Sequence, residues 1–224
     1  MKYLLITFIF LITISNSYAQ TTAEDKTGAW LTYAGTHKIS DKFSVSTLSQ
    51  TWFFEVPENF NFILLYGALN YKVSPKLTTT LGYGYGDIDG GFGTKKPHTY
   101  EDRIFEQFSY KHKLSSLPID HRFRAEQRLL SKLGNRWTQH RLRYRIGTKI
   151  KLNKTLFIRI HDEFLAIMHD DIITENRLYS ALGVNISKSC NVQFGYLNRK
   201  INGLNFHRLQ MGVFIKTDHS KKKE

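Results

Sequence analysis

Between Ile119 and Ile150 the chain alternates with a period of two, and arginine marks one side of the alternation. Arg122, Arg124, Glu126 and Arg128 share one parity, and after a turn Arg141, Arg143 and Arg145 do the same. Phe123, Ala125 and Leu129 take the opposite parity with His121 and Gln127, as Leu142, Tyr144 and Ile146 do in the second half. Period two sends successive side chains to opposite faces of a strand, so the segment reads as two strands. Leu133-Gly134-Asn135-Arg136 supplies the turn that makes them a hairpin. Six arginines and one glutamate therefore occupy one face. Such a face is either a solvated sheet surface or the polar interior of a barrel whose apolar side meets lipid. The hairpin alone does not choose.

The flanking segments extend the pattern. Strand-like stretches run from Gly28 to Ile39, Phe43 to Glu55, Phe60 to Val73, Leu77 to Gly86 and Tyr100 to Lys113 before the hairpin. Thr155 to Ile167, Glu175 to Ile186, Asn191 to Ile201 and Phe206 to Lys216 follow it. No segment sustains a helical period. The stretches are about ten to fourteen residues long, more than the usual five or six, and a tilted membrane-crossing strand needs roughly nine to eleven. The connections SDK, SPK, SSLP, LNK and SKS are short. The longest lie on the other side, at Asp87–Thr99 and Met168–Thr174. That asymmetry is the pattern of outer-membrane barrels. Leu81, Tyr83 and Tyr85 alternate with Gly82, Gly84 and Gly86, as a curved wall with close approaches requires. Trp30, Trp52 and Trp137, with the many tyrosines, fit interfacial girdles, although core aromatics would read the same way. Eleven strands can be counted, whereas single-chain bacterial barrels have an even number, so the expectation is ten to twelve.

The first residues set the compartment. Lys2, the apolar run Leu4–Ile14 and the small residues of Ser17-Tyr18-Ala19 form a secretory signal peptide. The run is too short to favour a spanning helix, and Gln20 rather than Cys follows the cleavage position. The expected organisation is a signal peptide at 1–19, a barrel at 20–217 and a basic tail at 218–224. The whole chain carries a formal charge of +13, and loss of Lys2 lowers it to +12. An exported chain without a nucleic-acid motif directs that charge to anionic lipid head groups or lipopolysaccharide phosphates rather than to nucleic acid. Cys190 is the only cysteine, so no internal disulfide forms, and its turn-like setting suits an incidental residue.

Several short motifs together resemble a known family. They are W-x-x-Y at Trp30–Tyr33, G-Y-x-Y at Gly82–Tyr85, E-x-R at Glu101–Arg103, R-x-R-x-E-x-R at Arg122–Arg128, R-x-R-Y-R at Arg141–Arg145 and E-N-R at Glu175–Arg177. With the signal peptide, the chain resembles the domain-of-unknown-function family DUF2490, found largely in Bacteroidota and taken to consist of outer-membrane β-barrels. The resemblance covers nearly the whole mature chain. It implies a location and a fold, but no biochemical activity.

The expected architecture is thus an all-β, antiparallel up-and-down outer-membrane barrel with a charged interior. Its lumen would hold Arg103, Arg122, Arg124, Arg128, Arg141, Arg143, Arg145, Arg159 and Arg177 against Glu101, Glu126, Glu163 and Glu175, with His161 beside them. Charges in a narrow lumen must pair, because burying them unpaired is costly. A barrel of about ten strands fills with side chains, which favours a structural network over a small anion-selective pore. A lipid-modifying enzyme is the first alternative. Barrel lipases and deacylases use an activated serine, commonly in H-x-S, and the chain has no H-x-S; His219-Ser220 are adjacent and so alternate sides. His161 with Glu163 is a same-face pair better suited to the polar network than to catalysis. His121 and His140 lie on the apolar parity and suit the membrane–water boundary. No metal or cofactor is expected: His and Cys form no ligand cluster, and Asp87 and Asp89 in DIDGGFG lack the downstream glutamate of a calcium loop. The second alternative is a soluble secreted lipocalin-like protein with the apolar parity inside.

Overall fold

The computed structural model describes residues 22–56 and 58–220. The signal-peptide segment 1–19, Gln20, Pro57 and the run Lys221–Lys223 lie outside the described residues.

Eleven strands and no helix make up the described residues. In chain order they are β1 (Gly28–Lys38), β2 (Phe43–Phe53), β3 (Phe60–Lys72), β4 (Leu77–Ile88), β5 (Thr99–Leu114) and β6 (Leu117–Lys132). They continue as β7 (Asn135–Lys151), β8 (Leu156–Met168), β9 (Ile172–Asn185), β10 (Cys190–Ile201) and β11 (Leu204–Asp218). Each pairs antiparallel with its sequence neighbour, and the sheet closes into a barrel. The closing pair departs from the expected all-antiparallel order. β1 and β11 run parallel, from Gly28 opposite Arg208 to Lys38 opposite Asp218. This follows from the count: in an up-and-down order with an odd number of strands, the first and last point the same way. The two ends of the barrel domain therefore emerge at opposite rims.

The expected asymmetry of connections is narrower than the sequence suggests. One rim carries turns of two or four residues after β1, β3, β5, β7 and β9; call it the turn rim. The other, the loop rim, has two extended connections, 54–59 and 89–98. The expected loop at Met168–Thr174 is a tight hairpin instead, with Met168 opposite Ile172 and Ile167 opposite Ile173. Its polar composition suggested a loop, but two β-branched isoleucines favour the extended backbone and carry the ladder up to a bend of only three residues, 169–171. Leu133-Gly134 and Asn202-Gly203 both have positive φ at both positions (50° and 83°, 48° and 81°). That is the backbone a two-residue hairpin turn demands.

The faces sort with few exceptions, among them Asp102, Glu106 and Asp162, which are exposed on the outer parity. Large apolar side chains of the outward parity are exposed on almost every strand, among them Leu81 at 58% and Phe123 at 57%. The charged parity is inside, with Glu101 fully buried and Arg103 at 3%. A soluble lipocalin-like chain would need the reverse. Of the two readings left open for the three tryptophans, girdle or core, the structure takes the core, since all sit on the inward parity. Trp30 lies opposite Trp52 across β1 and β2, and their rings stack in the lumen with centroids 3.9 Å apart. Trp137 lies opposite buried Leu130. Aromatic character suits a girdle and a core equally; parity with Thr32 and Gln50 decides for the core. Tyrosines, including Tyr83, Tyr85, Tyr100 and Tyr110, do face outward.

Inside, β1–β3, β9 and β10 contribute an apolar cluster of Trp30, Trp52, Phe62, Leu64, Tyr179 and Leu197. Two bulky inward rings lie over the neighbouring strand and need glycine opposite them. A Cβ at Gly82 would meet the Phe105 ring at 2.2 Å, and one at Gly183 the Phe157 ring at 2.1 Å. The opposite wall, β5–β8, is ionic.

A luminal arginine–carboxylate network

Strand parity delivers the charged side chains and register decides which ones meet. Arg103 faces Arg128 across β5 and β6, Arg124 faces Arg143 and Arg122 faces Arg145 across β6 and β7, and Arg177 faces Arg199 across β9 and β10. Like charges directly opposite destabilise a sheet, so carboxylates must sit between them.

Two of these pairs are resolved by the same device. Glu101 accepts from Arg103 Nε at 2.6 Å, two residues along its own strand. It also accepts from Nε and a terminal nitrogen of Arg128 at 2.9 and 2.6 Å. Glu175 repeats the arrangement. It accepts from Arg177, again two residues along, and from Nε and a terminal nitrogen of Arg199 at 2.6 and 3.1 Å. An E-x-R stretch thus clasps its own arginine and the arginine facing it, through forked bonds that are among the stronger side-chain interactions.

The remaining carboxylates bridge between strands. Glu126 holds Arg141 and, at 3.0 Å, Arg143, with Arg124 at 3.5 Å. Glu163 takes Arg122 at 2.5 Å and Arg143 at 2.7 and 3.0 Å. Asp120 takes Arg159 at 2.5 Å and Arg145 at 3.2 Å. Arg124 completes its fork on Gln107, and Arg128 reaches Gln139. The arginines also join the aromatic wall: Arg177 stands 5.1 Å from the Trp30 ring centre and Arg124 4.2 Å from that of Phe105, a cation–π geometry.

A family model described as protein of unknown function, DUF2490, matches residues 27–210. The chain belongs to the DUF2490 family. No curated protein matches it. The matched span runs from the residue before β1 into β11, so this DUF2490 chain carries the E-x-R clasps and the arginine hairpin inside the region that defines the family.

Every arginine and glutamate expected in the lumen is brought there. His161 enters the same interior but joins no carboxylate. It packs on Tyr179, ring centres 4.7 Å apart, and its Nδ1 has no hydrogen-bond partner in the protein. Asp162 faces away and accepts from Asn176. His121 stays on the outer face, bonded to Tyr144 at 2.8 Å and stacked on His112. Sequence reasoning missed Asp120, Arg199, Arg208, Gln107 and Gln139. Asp120 shares the parity of Arg122 and was legible in principle. Arg199 shares the parity of Gln193 and Leu197, but β10 shows too little apolar contrast to fix its faces. Arg208 has no carboxylate partner among the described residues; it bonds the carbonyls of Lys26 and His207. Among the described residues no group of three or more His, Cys, Asp or Glu is placed to hold a metal ion. Cys190 is a free, half-buried thiol.

Two cavities flank the network. One of about 180 Å³, toward the loop rim, is lined by Asn61, Ile88, Arg103, Arg128 and Arg199 among others. One of about 420 Å³, toward the turn rim, reaches Lys149, Asn191, Phe214 and Lys216. Gln50, Leu64, Arg143 and Arg177 line both. They lie between the two, near the middle of the lumen, where the Arg177–tryptophan stack meets the Glu163 and Glu126 clasps.

Proposed function

We propose that the protein is an integral outer-membrane β-barrel of a Gram-negative bacterium, exported by its signal peptide, with its arginine–carboxylate network closing the lumen as a structural plug. The reading rests on one observation: a closed barrel wears its apolar parity outside and its charged parity inside. Soluble monomers rarely expose contiguous apolar patches of more than a few hundred Å². Here exposed leucine, isoleucine, phenylalanine and tyrosine recur around the circumference, including Leu69, Ile104, Phe164, Leu182 and Phe194. Lipid satisfies that surface, and the closed ladder leaves no strand edge unpaired within it.

The turn rim faces the periplasm on this reading and the two extended loops face outward. The partners of the outer face are membrane lipid and lipopolysaccharide, and the chain performs no catalysis. A plugged lumen carries little ion current.

Membrane fractionation together with heat-modifiable gel mobility tests the proposal. A folded, SDS-resistant band in the outer-membrane fraction is expected, with no resolved channel steps in planar bilayers. A soluble periplasmic protein without a mobility shift would overturn the membrane reading. Steady conductance from a folded barrel would instead overturn the plug and favour an anion-selective pore.

A further inference from the structure

The turn-rim cavity has a chemistry that the structural network leaves unused. Six buried side-chain polar atoms among the described residues have no hydrogen-bond partner in the protein, and four of them belong to residues lining this one cavity: Arg122 Nε, Arg145 Nε, His161 Nδ1 and the Tyr179 hydroxyl. They form a row across four adjacent strands. Arg122 lies opposite Arg145 between β6 and β7. His161 lies opposite Gly147 between β7 and β8, which places it diagonal to Arg145. Tyr179 lies opposite His161 between β8 and β9. Gly147, without a side chain, is where His161 and the Arg159 guanidinium pack. A buried polar atom without a partner is costly, and four of them belong to residues in one stretch of the cavity wall.

Its charge names the ligand class. Six arginines and two lysines line the cavity against one carboxylate, Glu163. Glu163, Asp120, Glu175 and Glu126 engage the arginines from the sides. Lys149 and Lys216 have no carboxylate partner among the described residues, and both lie near the mouth. Outside the mouth, each turn of that rim carries or abuts an exposed lysine: Lys42, Lys76, Lys113, Lys154 and Lys188. The loop rim is mixed, with Glu58, Asp89, Asp170 and Asp171 beside Lys95 and Lys96. The turn-rim collar is predominantly positive, Asp41 being the one carboxylate in those turns and paired with Lys38, and a positive collar leading into a low-dielectric recess concentrates anions.

We propose that the turn-rim cavity binds an oxyanion of the phosphate type, held by the Arg122, Arg145, His161 and Tyr179 row and drawn in by the lysine collar. At about 420 Å³ it lies within the usual range of small-molecule sites, so a phosphorylated small molecule or a lipid phosphate head group suits it equally. The periplasmic direction of entry rests on the membrane reading above; the binding does not.

The test is calorimetric titration of the detergent-folded mature protein with inorganic phosphate and, separately, with short-chain phosphatidic acid. Tyr179→Phe and His161→Phe keep the ring and remove the polar atom, and Asn61→Ala in the other cavity is the control. Each row variant is expected to weaken binding by about tenfold or more, as loss of a hydrogen bond to a charged group does, while the control binds as wild type does. Binding of phosphate itself identifies a free ion or small phosphorylated ligand. Binding of phosphatidic acid alone identifies a lipid head group. Heat-modifiable mobility confirms that each variant is folded. The proposal is overturned if the folded wild type takes up neither probe, or if both row variants bind as wild type does. A folded barrel that binds nothing removes only this inference; a soluble chain removes the membrane reading whether or not it binds phosphate.

Discussion

Glu101 has no solvent exposure and, among the described residues, is the only carboxylate paired with both Arg103 and Arg128. Replacing it with glutamine removes the negative charge and leaves two buried guanidinium groups without it. Breaking one side of a buried pair costs about 3–5 kcal/mol, so Glu101→Gln is expected to lower the temperature at which the folded gel band is lost. Glu58, exposed in the loop before β3, provides the contrast: Glu58→Gln is expected to change stability by about 0.5 kcal/mol or less. Glycines give a second pair. Gly183→Ala drives a methyl into the Phe157 ring, whereas a Cβ at Gly67 meets nothing within 4 Å. Overpacking costs about 1–3 kcal/mol, so denaturant unfolding of Gly183→Ala is expected to shift by that amount, and that of Gly67→Ala to shift little.

At the scale of elements the unusual feature is the seam. Parallel pairing has slanted hydrogen bonds and is slightly less stable per residue than antiparallel pairing. Tyr33 and Val213 face each other across it, both exposed on the outer surface. In a Cys190→Ser background, Tyr33→Cys with Val213→Cys is expected to form a disulfide on oxidation, because neighbouring strands hold Cα atoms within the range a disulfide spans. Failure to cross-link, or cross-linking equally well with Val213 shifted by one residue to Gly212→Cys, would contradict the register. The seam was legible in the sequence only as an odd count of strands. No local pattern announces a parallel pair made by two segments so far apart in the chain. Loop length was legible where glycine and lysine mark turns, and misread at Met168–Thr174. There the polar residues His169, Asp170 and Asp171 hid how far the isoleucine-led strand extends.

For the whole molecule, the sorting into two faces was the most legible property, because a period of two separates arginine from phenylalanine and leucine; which face lies inside came from strand length and connections, not from the hairpin. The network members followed from parity alone. Their partners did not: which arginine meets which glutamate depends on register between strands, and the E-x-R clasp becomes visible only when the facing arginine is in place. The lumen's division into an aromatic wall and an ionic wall was hidden for the same reason, since Trp30 and Trp52 find each other across strands.

Brominated-lipid quenching of tryptophan fluorescence in reconstituted vesicles tests this sidedness directly. The native tryptophans all lie on the inward parity, Trp30 and Trp52 buried at 4% and 9% exposure, while Leu81 faces out. The account predicts native emission that the brominated chains leave nearly unchanged, and a strongly quenched added component in Leu81→Trp. Strong quenching of the native emission, or none in Leu81→Trp, would contradict a barrel with arginine inside and lipid outside.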